Sequence, residues 1–209
     1  MNDRSLNVWV VDDVESVRWV LEKALRQAGM EARTFERAEH LLEAIAHGEP
    51  DVLITDVRMP GMSGITLLDR LNATCPDLPI IVITAHSDLE NAVAAYKGGA
   101  FEYLPKPFDI DEAMELVRKA ARQNGNGKTE DAEAPDGLSS IIGQAPAMQE
   151  VFRSIGRLSG SSMTVLITGE SGTGKELIAR ALHEHSPRAD KPFVALNTSA
   201  IAADLLESE

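Results

Sequence analysis

Cysteine is almost missing from this sequence. Cys75 is the only one, which excludes an internal disulfide and any zinc site built on cysteines. Cations are scarce too: 20 Lys and Arg stand against 33 Asp and Glu, a formal net charge of −13. So acidic a chain repels phosphate backbones, which makes these residues on their own a poor nucleic-acid surface. No apolar run approaches the roughly 20 residues that a membrane-crossing helix needs. The N-terminal MNDRSLNVWVVDD meets acid too soon to supply the apolar core of a signal peptide. What remains is an acidic, reduced protein, expected in the cytoplasm and away from membranes. Its 209 residues suffice for one full domain plus part of another, or for two small ones.

Short apolar runs alternate with amphipathic stretches. LNVWVV (6–11), DVLIT (51–55) and PIIVIT (79–84) are near-continuous, as in strands buried on both faces of a parallel sheet. MEARTF (30–35) and FEYLP (101–105) are weaker strand candidates. Between them, Val14, Val17, Leu21, Ala24, Leu25 and Ala28 share one helical face, as do Ala38, Leu41, Leu42 and Ile45. Ile110, Ala113, Met114, Val117 and Ala121 form a third such face. Gly29 and Gly48 stand where helix C-caps belong. Five β-α units over residues 1–123 predict a doubly wound α/β domain with a five-stranded parallel sheet. NGNGKTEDAEAPDG (124–137) has almost nothing to bury and reads as a flexible linker. Residues 138–209 follow with a helix around Pro146–Leu158, a strand MTVLIT (163–168), a glycine loop, a helix ELIARALHEH and a strand PFVALN (192–197).

In open parallel sheets, ligands bind beyond the carboxyl ends of the strands. Asp12 and Asp13 follow the first strand, Asp56 ends the third, Thr84 ends the fourth and Lys106 follows the fifth. Taken singly, strand-end acids are usually solvated caps, but here five stretches aim polar groups at one rim. Three carboxylates held together repel one another by several kcal/mol unless a cation intervenes. Mg²⁺, a hard ion with oxygen ligands, resolves that conflict. One carboxylate is then free to attack a phosphoryl donor and form an acyl phosphate. Asp56 is the candidate, because it ends the central strand and precedes the Pro/Gly-rich VRMPGMSG. Lys106 would neutralise phosphoryl charge and the Thr84 hydroxyl could donate to it, which is catalysis by positioning and electrostatics.

VVDD, ITDVRMPGMSG, ITAHSD and YLPKPFD, in that order and spacing, resemble the receiver domain of bacterial two-component response regulators over about residues 6–122. VRWVLEKAL, TAHSDLENAV and GAFEYLPKPFDIDEA further resemble the nitrogen-regulation type of these regulators. The resemblance implies a flavodoxin-like strand order and phosphorylation of Asp56 by a sensor histidine kinase. It also implies a Mg²⁺ shell of Asp12, Asp13, Asp56 and the backbone carbonyl of Arg58. Thr84 and Tyr103 match the family's switch residues, and Lys106 precedes Pro107 in a bond that is usually cis there. Phosphorylation is expected to turn Thr84 toward the phosphoryl group, with Tyr103 following inward, and to change the exposed apolar face of a helix from Asp88 to Lys97. Val14 occupies a position where close relatives often carry a third Asp; with the pair intact, metal binding is expected to persist.

GESGTGKE (169–176) fits the phosphate-loop pattern G-x-x-x-x-G-K through Gly169, Gly174 and Lys175, with a strand expected before it and a helix after. Backbone N–H groups of Gly169, Glu170, Ser171, Gly172, Thr173 and Gly174 can turn around phosphate oxygens at the helix N-terminus, with Lys175 reaching the terminal phosphates. A glycine-rich turn with a surface lysine is the simpler alternative. Glu176 stands where the general motif has Ser or Thr, so the usual hydroxyl ligand to Mg²⁺ is missing. That GKE ending resembles the AAA+ ATPase domain of sigma-54-dependent activators, and residues 138–209 resemble its first third. The resemblance implies ATP as ligand and places Ile142 and Gly143 beside the base. The family's acidic strand, arginine fingers and DNA-binding helix-turn-helix are not among the 209 residues. The expectation is therefore a truncated chain without ATPase activity of its own, whose residues 138–209 fold poorly for want of a partner to their apolar surface. Sigma-54 RNA polymerase and DNA would be partners only through further sequence, and the whole protein would form a homodimer or larger oligomer. Two other readings are a stand-alone phospho-receiver adaptor and a P-loop phosphotransferase regulated by a receiver.

His183 and His185, about 200° apart on a helix, cannot share a metal and read as surface residues. Cys75 reads as an ordinary thiol near the end of the third helix.

Overall fold

Two stacks of alternating side chains build the sheet. The computed structural model describes residues 5–85, 89–123 and 145–196. In β1 (Asn7–Val11), Val8 and Val10 face one way and Trp9 and Val11 the other, and all four are buried. The same alternation runs through β3 (Val52–Asp56) and β4 (Ile80–Thr84), every residue of which is buried. Only a sheet covered on both sides needs such runs. Val8, Val10, Val52, Ile54, Ile81 and Ile83 pack against α1 (Glu15–Gln27) and α5 (Ile110–Gln123). Trp9, Val11, Leu53, Ile80 and Val82 lie in the opposite core, with α2 (Ala38–Ile45), α3 (Gly64–Thr74) and α4 (Leu89–Lys97). β2 (Glu31–Phe35) is half-exposed at one edge, and β5 (Glu102–Pro105) lies at the other. All pairings are parallel, in the order β2-β1-β3-β4-β5, which is the flavodoxin-like arrangement expected. The order reverses between β1 and β3, so a crevice opens beyond their carboxyl ends.

Several expectations need correction. Val14 does not join the buried face of α1; it is the residue before the helix and is 45% exposed, since the chain is still turning away from β1. Gly29 caps α1 as expected, at φ +78°, with Gly29 N–H to the Arg26 carbonyl and Met30 N–H to the Leu25 carbonyl. Gly48 has no such role: α2 ends at Ile45, Ala46 caps it in the right-handed region, and Gly48 merely continues the turn.

Beyond residue 144, α6 (Pro146–Leu158) and α7 (Lys175–Glu184) form where periodicity placed them. The strands expected over 163–168 and 192–197 do not form among the described residues: 163–168 and 192–196 carry no ladder. Strands exist by pairing, and no described neighbour pairs with these, so Leu166 is 88% exposed and Met163, Val194 and Leu196 are exposed as well. His185 also differs from expectation. It caps α7 and is buried, not at the surface, while His183 is half-buried with its ring 5.3 Å from that of Phe193. The expected linker 124–137 and Asp88 lie outside the described residues.

Candidate functional site

The crevice at the carboxyl ends of β1 and β3 collects the acids. One carboxylate oxygen from each of Asp12, Asp13 and Asp56 lies within 4.8 Å of the others. Asp12 and Asp56 are buried and Asp13 half-buried. Lys106 reaches in from the end of β5, with its Nζ 2.7 Å from Asp12 Oδ2 and 3.3 Å from Asp56 Oδ1. Lys106 thus pairs with two of the three acids, and one lysine does not balance the set. Burial pushes the Asp56 carboxyl above its ordinary range; Lys106 opposes this, and the negative charges of Asp12 and Asp13 add to it.

The surrounding backbone fixes the geometry. Asp12 Oδ1 accepts from the Val14 N–H at 2.9 Å, while Arg18 donates to the Asp12 carbonyl at 2.6 Å. Lys106 N–H donates to the Thr84 carbonyl at 2.6 Å, which ties the lysine to the end of β4. The Lys106–Pro107 peptide bond is cis. Thr84 is buried at the rim, Tyr103 is wholly buried one strand over, and Arg58 begins the exposed loop two residues after Asp56. After Asp56 the chain turns sharply into α3, where a Cβ on Gly64 would overlap the Asp56 carbonyl oxygen. Ser63 caps that helix by accepting from the Thr66 N–H at 3.1 Å. Gly64 and Arg18 were not singled out from sequence. The glycine of VRMPGMSG was a usable signal, whereas nothing local marks an arginine that folds back onto a carbonyl six residues away.

A hard divalent cation suits this donor set. Three carboxylates offering one oxygen each within 4.8 Å, one of them driven toward protonation, are what such an ion relieves.

The glycine loop takes its shape from glycines of positive φ. Gly174 stands at φ +85° immediately before α7, and Gly172 at φ +81°. Lys175 Nζ donates to the carbonyls of Gly169 (3.0 Å) and Glu170 (2.5 Å), and the Thr173 hydroxyl to Glu170 O at 2.8 Å. The loop therefore encircles its lysine, with Glu170, Ser171 and Glu176 exposed. Ile142 and Gly143 lie outside the described residues.

The response regulator receiver domain matches residues 8–118, more than half of the sequence. With the sheet order and the acid rim already in place, the class is defined: the chain belongs to the response regulators. A sigma-54 interaction domain matches residues 141–209, and a receiver followed by that domain is the NtrC type. The chain is 58% identical over 203 residues to the DNA-binding transcriptional regulator NtrC of Escherichia coli (strain K12), covering 97% of this chain and 43% of that protein. It is 47% identical to NtrC of Azospirillum brasilense over 204 residues, 97% of this chain and 42% of that one. The chain thus spans less than half the length of these curated relatives. Among solved structures, the apo receiver domain of Nitrogen Regulatory Protein C superposes with a TM-score of 0.53 at 56% identity, covering 56% of this chain and 95% of that one. NtrX from Brucella abortus in complex with ATP gives a TM-score of 0.56 at 30% identity, over 97% of this chain and 46% of that one. Among the described residues no helix is long and apolar enough to cross a membrane. The stand-alone adaptor alternative gives way to a receiver joined to a sigma-54 interaction domain.

Proposed function

We propose that residues 1–123 are a phosphoaccepting receiver, 124–137 a linker, and 138–209 the beginning of a nucleotide-binding AAA+ module that the receiver controls. Asp56 is the phosphoacceptor. The observation that carries this reading is the convergence of three carboxylates at the reversal of strand order, two of them, Asp12 and Asp56, paired with Lys106.

Asp12, Asp13, Asp56 and the Arg58 carbonyl are the residues that would hold Mg²⁺, which when bound offsets negative charge at the acids and on an incoming phosphoryl group. The phosphoryl donor is a phosphohistidine of a sensor kinase. An Asp56 carboxylate oxygen forms the new O–P bond as the N–P bond breaks, and the imidazole leaves with the electron pair. Lys106, already between Asp12 and Asp56, shifts its donors to the phosphoryl oxygens, and the Thr84 hydroxyl donates to another. Tyr103 acts with Thr84 as the switch. The free acid form of Asp56 favoured by burial is a poor nucleophile, so the cations also serve to keep it ionised.

In the second module, Gly169 to Glu176 cradle the phosphates of ATP, Lys175 leaves its loop carbonyls to meet them, and Ile142 and Gly143 lie by the base. The chain acts as a regulator and not as an enzyme. Together with the rest of a protein of the relatives' length, it would act on sigma-54 RNA polymerase at DNA, as an oligomer in the cytoplasm. The reading is tested by incubating the chain with acetyl phosphate and Mg²⁺ and measuring intact mass. One phosphoryl group is expected on the wild type and none on Asp56→Asn; incorporation that persists in the variant rejects Asp56.

A further inference from the structure

Asp12 has every polar group engaged. Its N–H donates to the Phe35 carbonyl at 3.2 Å, its Oδ1 accepts from the Val14 N–H at 2.9 Å, and its Oδ2 accepts from Lys106 Nζ at 2.7 Å. The fourth group is the carbonyl, which lies past the last residue of β1 and accepts from Arg18 Nη1 at 2.6 Å. That carbonyl belongs to the peptide unit joining Asp12 to Asp13. A peptide unit is planar, so holding its oxygen sets the plane from which both acids project. Val14 opens α1 without a side-chain cap, and the Arg18 N–H closes the first helical turn on the Val14 carbonyl at 3.2 Å. The guanidinium therefore ties the acidic turn to the start of a helix. Its partner is a carbonyl and not a carboxylate, so Arg18 stands beside the acids as a brace.

We propose that Arg18 is a positioning residue for the metal: by holding the Asp12–Asp13 peptide plane it fits the acids of the crevice to Mg²⁺ in preference to Ca²⁺. Mg²⁺ demands near-ideal octahedral geometry at about 2.0 to 2.1 Å, whereas Ca²⁺ accepts longer and more irregular contacts. A plane free to rock splays the two side chains and penalises the smaller ion more. Charge acts in the opposite sense. A guanidinium beside the crevice repels any cation bound there, so its removal taken alone would tighten both ions alike. The sign of the change, and the difference between two ions of equal charge, therefore separate geometry from electrostatics. The inference rests on the reading of the three acids as a Mg²⁺ site given above.

Calorimetric titration of the 209-residue chain with MgCl₂ and, separately, with CaCl₂ tests this on wild type, Arg18→Met, Arg18→Lys, Arg26→Met and Asp13→Asn. Methionine keeps much of the arginine stem and is a comparable helix former, so α1 is not weakened by propensity. Mg²⁺ affinity in Arg18→Met is expected to fall at least about tenfold, the usual effect of removing a group that orients a metal ligand. Ca²⁺ affinity is expected to fall by less than about threefold, because its shell is more tolerant. Arg18→Lys, which keeps a charge and a donor, is expected to recover most of the Mg²⁺ affinity. Arg26→Met removes a cation of the same helix that pairs with Glu22 at 2.6 Å, and leaves both affinities unchanged. Unchanged or tighter Mg²⁺ binding in Arg18→Met overturns the proposal, as does an equal loss of both ions or a lysine variant as weak as the methionine one. Melting in chelator accompanies each titration. An Arg18→Met chain that does not fold makes the arginine a residue of stability and overturns its separate role. Wild type that binds no Mg²⁺, or binds it no better than Asp13→Asn, defeats the metal reading itself. Failure confined to the Arg18 variants leaves that reading standing.

Discussion

Replacing Asp56 with Asn should make the metal-free protein more stable. Asp56 is 7% exposed and lies within 4.8 Å of carboxylate oxygens of both Asp12 and Asp13, with Lys106 at 3.3 Å. At an effective dielectric constant near 20, each like-charge pair costs about 3 to 4 kcal/mol and the lysine returns about 5. The difference leaves a net repulsion of roughly 2 kcal/mol, to which desolvation of the anion adds. An amide keeps the shape and removes the charge, so a gain of about 1 to 2 kcal/mol is expected, or a melting point higher by several degrees. Thermal unfolding at neutral pH in a chelator measures it. Mg²⁺ should close or reverse the gap, because only the wild type offers the ion a third carboxylate. The pH dependence has a definite sign. The folded pKa of Asp56 is raised above 3.8, so between the two values the folded state binds more protons than the unfolded state. Wild-type stability then falls as pH rises through that window, and the advantage of the variant shrinks as pH is lowered into it. A variant less stable than wild type in chelator, or an equal Mg²⁺ response in both, would refute the electrostatic argument.

Lys106→Met removes the cation from Asp12, which is 1% exposed, and should cost about 3 to 5 kcal/mol in chelator; denaturant titration reads the loss, and Mg²⁺ should recover part of it. Ser63→Ala deletes the hydroxyl that accepts from the Thr66 N–H and should cost about 1 kcal/mol by the same titration, with the Mg²⁺-dependent increment unchanged.

The sheet was legible because its central strands are apolar on both faces. β2 gave a weaker signal for the reason that it is physically weaker: an edge strand with exposed Glu31 and Arg33 has no cause to be apolar throughout. The acid rim was legible because strand ends in a parallel sheet point one way, so separation along the chain does not prevent convergence. MTVLIT and PFVALN are sound strand sequences, yet composition only permits a strand; a hydrogen-bonding neighbour makes one. The amphipathic face of α6 was readable, but not what it covers. That depends on Arg157 meeting Glu102, 55 positions earlier in the chain, and on the missing side chain of Gly156. His185 escaped for a related reason. A helix wheel assigns it a face, whereas its burial is decided where α7 stops.

The exposed Met163, Leu166, Val194 and Leu196 set a practical boundary on acid work. Near neutral pH the charge of −13 keeps molecules apart, but at the isoelectric point of about 4.8 that mutual repulsion vanishes. These exposed apolar segments, paired with no described strand, will then find one another and precipitate the sample. Titrations of the Asp56 carboxyl therefore belong in dilute solution and should start from the alkaline side, with light scattering followed in parallel.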